Sequence, residues 1–236
     1  MVLRHPDQET VKWLEKGEHH RWPEILTVLT QDPESPFVKA TQRLAKALDI
    51  TSIAEWTKEY EQIFGHSVQS AAPPYELEYG EEHSHRQPQE LGDIAAFYQA
   101  FGLQLSALAH ERVDHVVTEC EFMQYLLYKQ ACALDEGQSE HVEIGRDAAK
   151  QFLVDHLGRW GPAFALRLSR VTHGGVLEAV AQLTLEWLML ESARMQVPYG
   201  PHDLPLRQPK EQDDIGCAAC EFKQSENMGG GDGNQV

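Results

Sequence analysis

The segment Asp114-His115-Val116-Val117-Thr118-Glu119 places two carboxylates and an imidazole within six positions, and Glu121, Phe122 and Met123 follow closely. His115 and Glu119 stand four apart, so on a helix they share a face. Such a pair suits proton transfer or capture of a cation. As a plain surface pair it would contribute only about 0.3–0.5 kcal/mol. Asp114 falls where a helix would start, and an aspartate there ordinarily caps free backbone amides, worth about 0.5–2 kcal/mol. Metal-ligating residue types occur elsewhere: Glu81, Glu82, His83 and His85 lie close together, His19 and His20 are adjacent, and Cys217 and Cys220 form a C-x-x-C. A structural zinc normally takes four ligands, and no second C-x-x-C or H-x-x-x-H accompanies these groups. Their ordinary reading is a solvated loop, a surface pair and a polar tail. The sequence has no Walker loop, no G-x-G-x-x-G after a strand, no H-E-x-x-H and no G-x-S-x-G.

The elements that must position these residues read almost entirely as helix. Asp7 can cap a first helix that stops at Gly17, and Phe37 to Leu48 is a second. Ser52 and Glu55 have capping-box spacing, and Ile53, Trp56, Tyr60, Ile63 and Phe64 then recur at helical intervals up to Gly65. Gly65 to Gln89 reads as a long loop in which Pro73 and Pro74 forbid regular helix and favour an extended path. Helices are expected from about Gln89 to Phe101, Asp114 to Leu134, and Glu140 to Leu157 with Gly158 as its stop. A short helix should follow Trp160-Gly161-Pro162, and a last one should run from Val176 to Met195. These patterns define an all-α fold, a compact single-domain helical bundle over residues 1–200, with residues 201–236 as a polar, disordered tail.

The 236 residues are enough for a substantial core, and 42 % of them are apolar. The formal net charge of −17 argues against nucleic-acid partners and for cationic ones. No stretch approaches the roughly 20 apolar residues that span a bilayer. The start of the sequence lacks the apolar run of a secretory signal, so a cytoplasmic location is expected. Cys120 and Cys132 fall within helical patterns and read as buried thiols.

Two segments together resemble the signature regions of the TorD/DmsD/NarJ group of redox-enzyme maturation chaperones. Tyr60-Glu61-Gln62-Ile63-Phe64, followed by Ala72-Pro73-Pro74-Tyr75-Glu76, is similar to an aromatic helix ending in Y-x-x-L-F before a proline–aromatic loop. Glu111-Arg112-Val113-Asp114-His115, followed by Glu119, Phe122 and Met123, is similar to the segment E-x-P-D-H-x-x-x-E-x-x-F-M. Val113 replaces the usual proline and Ile63 the commoner leucine, which leaves the approach to the Asp-His pair less stiff. The resemblance extends diffusely from Trp13 to Met195.

It implies an all-helical cytoplasmic chaperone, monomeric or dimeric, with no catalytic centre and no cofactor of its own. The implied partner is the catalytic subunit of a molybdenum oxidoreductase, recognised through its twin-arginine signal peptide or another segment. The chaperone would hold that subunit back from export until its molybdopterin is inserted. A twin-arginine peptide has a cationic end and an apolar stretch, so its receptor needs an aromatic groove with carboxylates at one end. Tyr60, Ile63, Phe64, Pro74 and Tyr75 are the expected groove, and Glu76, Asp114 and Glu119 the expected negative end, where arginine makes bidentate contacts. His115 would orient Asp114 or touch the peptide. The alternative from a different class is a helical metalloprotein or metal-dependent hydrolase built on the histidine and glutamate residues.

Overall fold

The computed structural model describes residues 3–65, 70–80, 87–106 and 111–207. Among the described residues, nine α-helices run in chain order as α1 (Gln8–Glu15), α2 (Trp22–Thr30), α3 (Pro36–Ile50), α4 (Ile53–Phe64), α5 (Gln87–Ala100), α6 (Val116–Asp135), α7 (Ser139–Asp155), α8 (Leu157–Val171) and α9 (Gly175–Met195). Two short 3-10 turns, Glu18–Arg21 and Glu76–Glu78, complete the described secondary structure, with two isolated β-bridges and no strand. The fold is all-α, as expected.

Local chemistry accounts for most helix ends. Asp7 accepts a hydrogen bond from the Thr10 amide at 2.8 Å to start α1. Ser52 and Glu55 form the expected reciprocal box at the head of α4. Trp56, Phe152, Trp160 and Phe164 are fully buried, and each such side chain gains about 1.5–3 kcal/mol on leaving water. α9 is the central element: it packs on α8 and α3, while α6 and α7 pack on each other and α7 continues against α8.

Three expectations are corrected. The stretch from Gly158 to Pro162 does not interrupt helix: α8 runs unbroken from Leu157 to Val171 with Pro162 inside it. Pro162 has no N–H to donate to the Gly158 carbonyl four residues back, and the Gly200 amide takes that carbonyl instead, at 2.8 Å. The lost rung is replaced from elsewhere in the chain. Gly200 is fitted closely to this job, since a Cβ there would lie 2.0 Å from the Arg159 carbonyl oxygen. Secondly, α2 was not expected. None of its residues is fully buried, Ile25, Val28 and Leu29 are exposed, and the partly buried stripe that packs on α3, Trp22, Leu26, Thr27 and Thr30, mixes apolar and polar residues. Thirdly, α6 is capped by His115, whose Nδ1 accepts from the Val117 amide at 3.1 Å, and not by Asp114.

Residues 201–207, placed in the tail by sequence, lie against the body. Arg207 donates its amide to the Glu78 carbonyl, Gly80 donates to Pro205, and Leu204 and Leu206 pack on the core. Cys217 and Cys220, like Glu81, Glu82, His83 and His85, lie outside the described residues.

Candidate functional site

The two sequence segments singled out above meet through their backbones. Glu76 donates its amide to the Asp114 carbonyl and Val116 donates to the Pro74 carbonyl, both at 2.9 Å, so Tyr75 and His115 form one antiparallel bridge. Prolines 73 and 74 hold the approach extended and are themselves buried, which presents Tyr75 in β geometry (φ −125°, ψ 132°). The Tyr98 hydroxyl on α5 donates to the Val113 carbonyl at 2.9 Å and ties down the other strand of the bridge.

Inward from this bridge lie three carboxylates. Asp114 is completely buried and accepts two hydrogen bonds from Arg112, at 2.9 Å from Nε and 2.7 Å from Nη2, and one from the Leu77 amide at 3.2 Å. Burial pushes its carboxyl up from the usual range, and Arg112 pulls it partly back. Arg112 also reaches Glu78 at 3.1 Å and lies 4.6 Å over the Tyr75 ring. Glu76 is buried between Arg159 (2.7 Å) and His156 (3.2 Å). Burial works against its charge, but the hydrogen bonds and charges of His156 and Arg159 outweigh it and hold the carboxyl below its ordinary value. Glu119 is also completely buried and accepts from the Trp160 indole at 3.0 Å. Burial, and then the charge of Glu76, push Glu119 well above its ordinary value, which favours its protonated form.

Outward from the bridge lies a groove of ≈ 720 Å³ between the N-terminal segment, the stretch after α5 and the first turns of α6. Leu103, Leu105, Phe122 and Tyr125 give it apolar walls, and Glu111 and Glu121 put half-exposed carboxylates on it, Glu121 in an exposed ion pair with Arg4 of the same lining. Its floor continues into aromatic residues: His115 lines it, and the His115 ring meets Tyr75 at 5.2 Å. The Tyr75 hydroxyl donates to Glu111 at 3.3 Å. His5, also in the lining, packs edge-on against Tyr60 at 5.4 Å, and Tyr60 packs on Phe64 at 5.0 Å. Burial, then the Glu111 charge, push the Tyr60 hydroxyl up to about 12. Burial also drives His115 down to about 4, so it is neutral at physiological pH and keeps Nδ1 as the acceptor that caps α6.

A family model described as nitrate reductase delta subunit matches residues 31–166, from the end of α2 into α8. The chain belongs to that family. The match takes in both signature segments, the carboxylate cluster and much of the groove, and it fits the resemblance read from the sequence. Among curated proteins, the chain is 38 % identical over 78 residues to the chlorate reductase assembly chaperone protein of Ideonella dechloratans. It is 40 % identical over 78 residues to the selenate reductase assembly chaperone protein of Thauera selenatis. Each stretch is 33 % of this chain and 39 % of the relative. Chaperone protein TorD of Vibrio cholerae is 25 % identical over 156 residues, 64 % of this chain and 66 % of that one.

Within this family member, the nine expected site residues separate into three groups. Tyr60, Tyr75 and His115 adjoin the groove, with Phe64 behind Tyr60. Ile63 faces a different cleft, beside Ser70 and Val171, and Pro74 is buried in the bridge. Glu76, Asp114 and Glu119 face inward and are engaged by the chain's own Arg159, His156, Arg112 and Trp160. The carboxylates that do line the groove, Asp7, Glu111 and Glu121, were not among the nine, and neither was Arg112, whose guanidinium holds the place expected for a partner's arginine. Glu111 and Arg112 stand within the quoted motif itself. What singles them out is which side of the bridge each residue faces.

Proposed function

We propose that this chain is a cytoplasmic maturation chaperone for the catalytic subunit of a molybdenum oxidoreductase, acting without a catalytic centre of its own. It binds the twin-arginine signal peptide, or another segment with a cationic end and an apolar stretch, and delays export while the cofactor is inserted. The relatives named as assembly chaperones of chlorate and selenate reductases support this reading. The observation that carries it is the groove: apolar walls, the aromatic residues Tyr60 and Tyr75 beside it, and Glu111 and Glu121 on it.

An extended or helical peptide would lay its apolar stretch along Leu103, Leu105 and Phe122 and bring its arginines to Glu111 and Glu121. Arginine pairs with such half-exposed carboxylates bidentately at little desolvation cost. The acidic net charge speeds encounter with a cationic segment. Glu76, Asp114 and Glu119 then serve as the frame that fixes the two signature segments to each other and to α8. The test is a titration of a twin-arginine peptide, and of the same peptide with both arginines replaced by glutamine. The reading requires tight binding of the first and at least about tenfold weaker binding of the second, the scale of one lost charge-assisted contact. Equal binding of both would reject it.

A further inference from the structure

Outside the groove, the N-terminal turn gathers three metal-ligating side chains. His19 and His20 sit in the 3-10 turn Glu18–Arg21, and Asp49 lies near the end of α3. Successive residues on such a turn project about 120° apart, so neighbouring histidines normally diverge. Here they converge. His19 Nε2 lies 3.1 Å and His20 Nε2 3.5 Å from the same oxygen, Asp49 Oδ1, and the two rings are 4.1 Å apart between centroids. Gly17 makes the convergence possible: it turns the chain with φ +65°, and a Cβ there would come within 3.3 Å of the His20 ring.

The His19 ring is fixed before any ligand arrives. It is 3 % exposed and packs against Trp13 at 5.8 Å and Trp22 at 6.3 Å, and its Nδ1 has no hydrogen-bond partner. A buried imidazole held by packing, with one nitrogen unpartnered and the other aimed at a half-exposed carboxylate, is poorly explained as a stabilising ion pair. It is well explained as a ligand. Bonds of about 2.0–2.1 Å to a tetrahedral ion set its ligand atoms about 3.3 Å apart, which the two nitrogen–oxygen distances bracket. His20 and Asp49 are half-exposed, so a fourth position opens to solvent.

We propose that His19, His20 and Asp49 form a binding site for one borderline divalent cation, with zinc as the best match. Two imidazoles and one carboxylate favour that class over calcium or magnesium, which take all-oxygen sites. The ion ties the N-terminal turn to α3, and therefore α1 and α2 to the body. The three side chains leave the fourth position to water, unlike a closed four-ligand site, and the ion's place is separate from the peptide groove.

The experiment uses the full chain without a polyhistidine tag, titrated with Co²⁺ as the spectroscopic probe and then with Zn²⁺ in competition. His20→Gln and Asp49→Asn are the test variants, because both side chains are exposed and neither change should unfold the protein. A Cys217→Ser/Cys220→Ser variant controls for the tail. The expected result is one equivalent of Co²⁺ with visible d–d absorption and no thiolate charge-transfer band. Affinity should fall by at least about tenfold in each ligand variant and stay unchanged in the cysteine variant, and zinc should raise the melting temperature of the wild type and the cysteine variant more than that of either ligand variant. Three results would each overturn the site: no stoichiometric binding, a thiolate band lost with the cysteines, or ligand variants that bind like the wild type.

Discussion

Two acidic regions flank the Tyr75–His115 bridge, and they use the same residue types to opposite ends. On the inner side, Glu76, Asp114 and Glu119 are at most 2 % exposed, and each has a hydrogen-bond donor supplied by the chain itself. On the outer side, Glu111 and Glu121 also have partners in the chain, the Tyr75 hydroxyl and Arg4, but these carboxylates keep 45 % and 53 % of their side-chain surface in water. A buried carboxylate that loses its partner is costly, so the inner group fixes geometry. An exposed one can exchange partners cheaply, so the outer group suits reversible capture. Acidic residues in a motif are therefore insufficient to locate a binding site; which side of the bridge each faces decides.

The largest effect should come from breaking the inner group. Asp114→Asn leaves Arg112 with Glu78 as its remaining charge partner and removes a buried acceptor of charged hydrogen bonds, and should cost up to about 3 kcal/mol of stability, read by denaturant unfolding. A variant that melts like the wild type would erase the distinction between the two regions. Next is the aromatic edge of the outer region. Tyr60→Ala should weaken a twin-arginine peptide by about 2 kcal/mol, roughly 30-fold, in calorimetric titration. If its main effect is on melting, with affinity unchanged, Tyr60 belongs to the scaffold.

Glu119 tests the inner region by pH. Its carboxyl is raised in the folded state, so the unfolded chain binds fewer protons once pH passes the ordinary value of about 4.3. Wild-type stability attributable to Glu119 is intact below that pH and is lost as pH rises. Glu119→Gln mimics the protonated form. It should be more stable than the wild type at pH 7–8, with the difference closing towards pH 4. A difference that grows on acidification would mean that Glu119 is ionised in the fold.

How much of this was legible in sequence varies by region. Helix α4 was readable in full, because its capping box and its apolar spacing are local. The α7–α8 junction was misread at Gly158 and Pro162 because the group that satisfies the orphaned carbonyl, Gly200, is far away in sequence. Helix α2 was missed because its inward stripe, Trp22, Leu26, Thr27 and Thr30, is half polar while Ile25, Val28 and Leu29 face water, which blurs the apolar period. The site was half legible. The motifs named the right segments, since Pro74, Tyr75, Asp114 and His115 do come together. Burial, however, depends on α5 and α8 packing over the bridge, and no spacing rule distinguishes Asp114, buried under Arg112, from Glu111 three residues earlier.

The smallest effect tests the central claim most directly. A twin-arginine peptide is titrated, at low and at high salt, into the wild type and into Glu111→Gln/Glu121→Gln. Both side chains are exposed, so melting should move by no more than about 0.5 kcal/mol. Affinity at low salt should fall by about 1 kcal/mol, roughly fivefold, and the salt dependence should flatten, because two carboxylates no longer meet the arginines. Unchanged affinity and an unchanged salt slope in this double variant would contradict the account.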